Sequence, residues 1–106
     1  MAVDRAVWDE VESVFSGGVQ MALAITGGGS SLLNWLFNHP GASRVLLEAQ
    51  IPYAPAALDE YLAHPGPHRV GARTAMAMAG KARARAGHWA LDKAAHWGVG
   101  LTAALG

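Results

Sequence analysis

The chain has 106 residues and a mass of 11.0 kDa, enough for one small domain, and its 52% hydrophobic content comes with a mean hydropathy of only +0.18 because 22 residues are alanine. No apolar run approaches the roughly eighteen residues of a membrane-spanning helix, and acids at Asp4, Asp9, Glu10 and Glu12 stand where a secretory leader would be basic and then apolar. Zero cysteines exclude disulfides, thiolate catalysis and cysteine zinc sites, and fit a reducing, cytoplasmic setting.

The first predicted element is a helix from Asp4 to Phe15, with Trp8, Val11, Val14 and Phe15 at helical spacing and acids on the other face. Asp4 is a suitable N-cap, and Gly17-Gly18 a suitable stop. Val19 to Thr26 then reads as a short buried strand bounded by glycines. Gly27-Gly28-Gly29 turns the chain, and Ser30 or Ser31 caps a helix carrying Leu32, Leu33, Trp35, Leu36 and Phe37. Pro40-Gly41 ends that helix, because proline cannot continue the hydrogen-bond ladder.

A second strand is expected over Arg44 to Tyr53, frayed by Pro52, followed by a short helix from Pro55 through Leu62. The segment His64-Pro65-Gly66-Pro67-His68 must be a surface turn. Arg69 to about Gly87 is alanine-rich and predicts a long helix with Val70, Ala75, Met76, Ala79 and Ala82 as its apolar stripe. Residues 88–95 extend it or form a separate turn, and Trp97 to Leu105 is a third strand. The alternation predicts a three-layer α/β/α domain with a largely parallel sheet. Three strands are few for such a sheet, so residues 1–106 read as one domain that is incomplete at its C-terminal end.

The net charge of zero hides an asymmetry. Residues 1–60 carry seven acids and two bases, a balance of −5, whereas residues 61–106 carry one acid and six bases, a balance of +5. That dipole suits an anion site or, more plainly, two faces that pack or dimerise. The longest basic stretch, Lys81-Ala82-Arg83-Ala84-Arg85, is too slight for nucleic acid.

The stretch Ile25-Thr26-Gly27-Gly28-Gly29-Ser30-Ser31 is the most informative. It follows a buried strand and opens a helix, which in a parallel sheet puts it at the carboxyl edge where ligands bind. Gly27, Gly28 and Gly29 let a ligand approach the backbone, and the helix N-terminus with Ser30 and Ser31 favours a phosphate or carboxylate. It lacks both the Walker ending and the Rossmann glycine spacing. By itself such a turn is also an ordinary tight connection.

Around this loop the chain resembles the CinA-type C-terminal domain, the family that includes nicotinamide-nucleotide amidohydrolases. Ala22-Leu23-Ala24-Ile25-Thr26-Gly27-Gly28-Gly29 stands where that family has a strand ending in Ala and then Glu-Ser-x-Thr-Gly-Gly. Pro40-Gly41-Ala42-Ser43 follows at the family's distance, then Gln50-Ile51-Pro52-Tyr53-Ala54-Pro55, and finally Gly98-Val99-Gly100-Leu101-Thr102-Ala103-Ala104. The match runs from about Val19 to Leu105 and rests on order and spacing more than on identity.

The departures are specific. Thr26 falls where the family has its nucleophilic serine, Ile25 where it has glutamate, and Gly28 where it has threonine, with Gly29 and Ser30 at the Gly-Gly positions. Tyr53 matches the family's tyrosine, but Leu58 stands in place of the active-site lysine. A lysine there deprotonates the hydroxyl or stabilises the resulting anion, and leucine does neither. The resemblance therefore implies a pyridine-nucleotide or phosphate site over Thr26 to Ser31 and Tyr53, with weak or no deamidase activity and no cofactor. Two alternatives stay open: an active nicotinamide mononucleotide deamidase using Thr26, or a non-catalytic interaction domain of a larger fused protein. A homo-oligomer or partner domain is expected to complete the sheet.

Other signals are weaker. His88, Asp92 and His96 form a metal-ligating stripe only if that segment is one helix, so no metal site is expected. His64 and His68 are separated by prolines that prevent a shared helical face. Met76 and Met78 read as helix packing, Trp8 and Trp35 as core, and Trp89 and Trp97 as partly exposed and suited to an oligomer contact. Arg69 and Arg73 reach a bound phosphate if their helix starts near the glycine loop, and otherwise form a solvated face.

Overall fold

A computed structural model describes residues 18–26, 30–90 and 95–102. The expected helix over Asp4 to Phe15, the turn Gly27-Gly28-Gly29, Asp92 and the stretch 103–106 lie outside the described residues. Strand β1 (Gln20–Thr26) is followed by helix α1 (Ser30–Phe37), a single helical turn α2 (Ala42–Val45) and strand β2 (Leu46–Gln50). Helix α3 (Pro55–Leu62), the long helix α4 (Ala72–Trp89) and strand β3 (His96–Thr102) complete the order. Among these helices none is long and apolar enough to cross a membrane.

The elements form where local chemistry permits them. Pro55 sits in the first turn of α3, where its missing N–H costs nothing and its fixed φ suits the helix. Helix α1 stops at Phe37 ahead of Pro40, and the Gly41 N–H donates to His39 Nδ1 at 3.0 Å, which holds the turn. That turn allows one more helical revolution, so Arg44 and Val45 are helical rather than strand. Strand β2 therefore starts at Leu46, two residues later than the apolar run predicts, and it ends at Gln50, before Tyr53.

The three strands form one parallel sheet in the order β2-β1-β3. Parallel crossovers are right-handed, and β2 and β3 flank β1 on opposite sides. The connection through α1 must then cover one face of the sheet, and that through α3 and α4 the other. The side chains of β1 obey this division. Met21, Leu23 and Ile25 pack with Leu36 of α1 and Val45 of α2, whereas Ala22 and Ala24 pack with Leu58, Met78, Ala82 and Ala86.

The alanine face brings α4 unusually close. In β3, Gly98 and Gly100 lie in register with Ala22 and Ala24. A methyl group added at Gly98 would fall on the backbone of Ala79 and Arg83, and one at Gly100 would come within 2.7 Å of the Ala79 nitrogen. Helix and strand thus pack backbone to backbone along a seam of alanine and glycine. The helix runs from Ala72 to Trp89, with Thr74, Met78, Ala82 and Ala86 buried. Val70 and Met76, expected on the buried stripe, are exposed, Met76 at 74%.

Candidate functional site

The seam ends at two hydroxyls. Strands β1 and β3 stay in unbroken register from Gln20 and His96 to Thr26 and Thr102. Because side chains alternate along a strand, Thr26 and Thr102 follow Ala24 and Gly100 onto the α4 face. The Thr26 hydroxyl donates to Thr102 Oγ1 at 2.9 Å, partly buried, at the carboxyl ends of both strands. In an open parallel sheet of order 2-1-3, this point between β1 and β3 is where ligands bind.

Helix α4 begins at the same edge. Gly98 meets Ala79 and Arg83, while Gly100 meets Ala75 and Ala79. Two residues along the strand thus advance about one turn along the helix, in the opposite direction. The next step brings Thr102 beside the first turn, Gly71 to Ala75. Gly71 is the N-cap, no side chain caps it, and the first turn holds no acid. The helix dipole therefore leaves positive potential and free N–H groups at the threonine pair. A shallow cleft of about 440 Å³ runs along the start of the helix, lined by His68, Arg69, Arg73 and Thr74 among others, and neither threonine of the pair lines it. The Thr74 hydroxyl donates to the Arg69 carbonyl and ties the incoming loop to the helix.

Of the residues singled out in the sequence, Thr26 stands at this edge, and Ser30 and Ser31 open α1 after three intervening residues. Gly27, Gly28 and Gly29 lie outside the described residues. Tyr53 follows the end of β2, 75% exposed, and makes no hydrogen bond to Thr26. Leu58, at the position matched to a catalytic lysine, is buried in the core with Ala22, Ala24 and Met78. A lysine amine there would be immersed in apolar contacts rather than beside Thr26. Among the described residues the hydrogen-bond partner of Thr26 is another hydroxyl, which is no general base at neutral pH.

A second polar cluster escaped the sequence reading. The Arg85 guanidinium grips Glu48 with both Nε and Nη2, the latter at 3.0 Å from Oε1, and lies 5.1 Å above the Trp89 ring. Gln50 Nε2 donates to Glu48 Oε1 at 2.8 Å. The Arg85 hydrogen bonds hold the Glu48 carboxyl below the usual glutamate range against the opposing effect of burial. Tyr61 packs nearby, and its buried hydroxyl has no partner among the described residues. Burial, with the Glu48 charge adding to it, pushes that phenol upward.

Glu48 reaches α4 because β2 carries a bulge. Met21 pairs with Leu46 but Ala22 pairs with Glu48, so Leu47 is an extra residue and the alternation resets. The spacing of Lys81 and Arg85, one helical turn apart above a lone acid in an apolar strand, was the available signal. Without the bulge, period-two counting puts Glu48 on the wrong face.

Among the described residues no three ligating side chains gather to hold a metal ion. The single helix that a His88–Asp92–His96 stripe would require does not form, because α4 ends at Trp89 and His96 opens β3. Compared with protein-family models, with curated proteins and with solved structures, the chain matches none.

Proposed function

We propose that the domain binds a phosphate-bearing small molecule, a pyridine nucleotide such as nicotinamide mononucleotide, at the carboxyl edge between β1 and β3. The observation that carries this reading is the Thr26–Thr102 hydroxyl pair, 2.9 Å apart at the uncapped start of α4. The phosphate occupies the N–H groups of that first turn, with Arg69 and Arg73 within reach from the adjoining loop and helix. The hydroxyls orient the rest of the ligand from the strand ends. The reading includes the CinA-like resemblance, in a form whose hydrolytic apparatus is degraded. Among the described residues Thr26 has a hydroxyl and no base as its hydrogen-bond partner, and Leu58 belongs to the core. The domain then acts as a nucleotide-responsive module in a reducing cytoplasm, within an oligomer or beside a partner domain.

The test is a thermal melt with and without millimolar nicotinamide mononucleotide. A ligand selective for the folded chain stabilises it by about 2.7 kcal/mol at a hundred times its Kd. Near 100 residues that is a rise of roughly ten degrees. Thr26→Val is expected to reduce the rise while leaving the unliganded melting temperature nearly unchanged. An unchanged melt in the presence of ligand overturns the reading. Ammonia release from the nucleotide that disappears in Thr26→Val would instead make Thr26 a live nucleophile.

A further inference from the structure

The two edges of the sheet are treated differently. An unpaired strand edge invites pairing with another chain, and natural proteins blunt it with short strands, bulges, charges and proline. Strand β2 has every one of these devices: five residues, a bulge opposite Met21 and Ala22, the charge of Glu48, and Pro52 just beyond its end. Strand β3 has none. It is seven residues long, carries no charged residue and no proline, and pairs only with β1 among the described strands.

We infer that the β3 edge is a self-association surface, on which a second copy of this chain lays its own β3 antiparallel about a two-fold axis at Val99. The inference is independent of the nucleotide reading and gives the expected oligomer a geometry. The strand's sequence is self-complementary in that register. Val99 meets the partner's Val99, Trp97 meets the partner's Leu101, Gly98 meets the partner's Gly100, and His96 meets the partner's Thr102. Directly opposed residues share a face, so each large apolar side chain finds an apolar one on the side away from α4. Trp97, 45% exposed, covers the partner's Leu101. No like charges oppose each other along the strand.

Helix α4 supplies a second, separate observation. It packs chiefly on β3, less on β1 and little on β2, so joining two β3 strands brings two copies of α4 side by side. Helices approach to about 8–10 Å only when the facing side chains permit it. With Met78, Ala82 and Ala86 toward β1 and Arg85 toward β2, the 100° step puts Ala72, Met76, Gly80, Arg83 and Gly87 on the flank beyond β3. The axis through Val99 falls level with Ala79 and Gly80, between the contacts made by Gly98 and Gly100. Gly80 is costly in a helix interior, and a methyl added there would meet nothing within 4 Å among the described residues. A second helix crossing at that point explains the glycine, and packing among the described residues of one copy does not. The same symmetry sets Met76 against the partner's Arg83 and Ala72 against the partner's Gly87, so the two Arg83 charges stay apart.

Sedimentation of the full 106-residue chain at increasing concentration is expected to show a reversible monomer–dimer equilibrium. Gly80→Leu, on an exposed helix face with room for the side chain, is expected to weaken the dimer at least tenfold with an unchanged far-ultraviolet spectrum. The register has its own check, because the chain contains no cysteine. Val99→Cys brings two sulfurs to the axis and cross-links under mild oxidation. Leu101→Cys, with the two copies four residues apart along the ladder, roughly 13 Å, does not. A monomer at every concentration, wild-type dimerisation by Gly80→Leu, or equal cross-linking of the two cysteine variants overturns the inference.

Discussion

The two faces of β1 solve the same problem in opposite ways. Toward α1 and α2, Met21, Leu23 and Ile25 fill the space with large side chains, and the helices stand off by the thickness of those chains. Toward α4, Ala22, Ala24, Gly98 and Gly100 leave almost nothing between strand and helix backbones. The first face is held by apolar volume, so it is sensitive to what is removed. The second is held by close approach, so it is sensitive to what is added. The close face also carries the candidate site, since any thickening of the seam would lift the start of α4 away from Thr26 and Thr102.

The largest expected effect therefore comes from adding atoms on the close face. Gly98→Val must displace the backbone of Ala79 and Arg83, which no side-chain rotation relieves. Its cost is expected above ~3 kcal/mol, the upper end of ordinary overpacking. A fall in melting temperature of more than about ten degrees measures it. On the opposite face the sign of the perturbation reverses. Leu23 is 2% exposed, and Leu23→Ala is expected to cost about 3 kcal/mol through lost burial and the cavity left behind. Denaturant melts of the two variants test the contrast. If Gly98→Val were tolerated as well as a surface change, the backbone seam would not be what holds α4.

How much of this was legible in the sequence depends on where the information lies. Strand β1 and helix α3 were readable locally, from an apolar run between glycines and from Pro55 at a helix start. The α/β alternation followed from them. The buried stripe of α4 was only partly readable: Ala75, Ala79 and Ala82 do face the sheet, but an alanine-rich helix has few large residues to mark its inner face. Met76 looked apolar enough to be inside, yet the inner face is chosen by small residues that meet glycines some twenty positions later in β3. Thr26 was legible as a strand-end hydroxyl, but its pairing with Thr102 requires the β1–β3 register. The Glu48–Arg85 pair was hidden for a similar reason, since one extra residue in β2 turns Glu48 to the α4 side.

That pair provides a smaller test, of a polar tie on the flank of the close face. Glu48 has a lowered pKa in the folded chain, chiefly through the Arg85 hydrogen bonds. A depressed folded pKa contributes stability that is complete above the ordinary glutamate value. The contribution is lost as pH falls from there through the folded value. Arg85→Gln is expected to cost about 1–2 kcal/mol at neutral pH, since each partner is partly solvated. Melting curves from pH 7 down to about pH 3 should bring variant and wild type together as Glu48 is protonated. Curves that stay parallel throughout would assign the loss of Arg85 to its packing over Trp89 instead.

The smallest effect is a gain, at the C-terminal end of α3. Ala63 closes that helix in the left-handed region at φ 55°, and its N–H donates to the Glu60 carbonyl at 3.2 Å. An alanine Cβ is strained in this conformation, and glycine is not. Ala63→Gly is therefore expected to stabilise the chain by about 0.5–1 kcal/mol, after the greater entropy of glycine in the unfolded state is set against the relieved strain. Glycine is thus favoured at Ala63 for its backbone freedom and at Gly98 for its lack of volume. Gly98→Ala separates the two causes, because Gly98 lies in a strand and has no positive φ to relieve. If Gly98→Ala lowered the melting temperature by no more than a degree or two, α4 would be free to move outward, and the candidate site at its first turn would lose its fixed geometry.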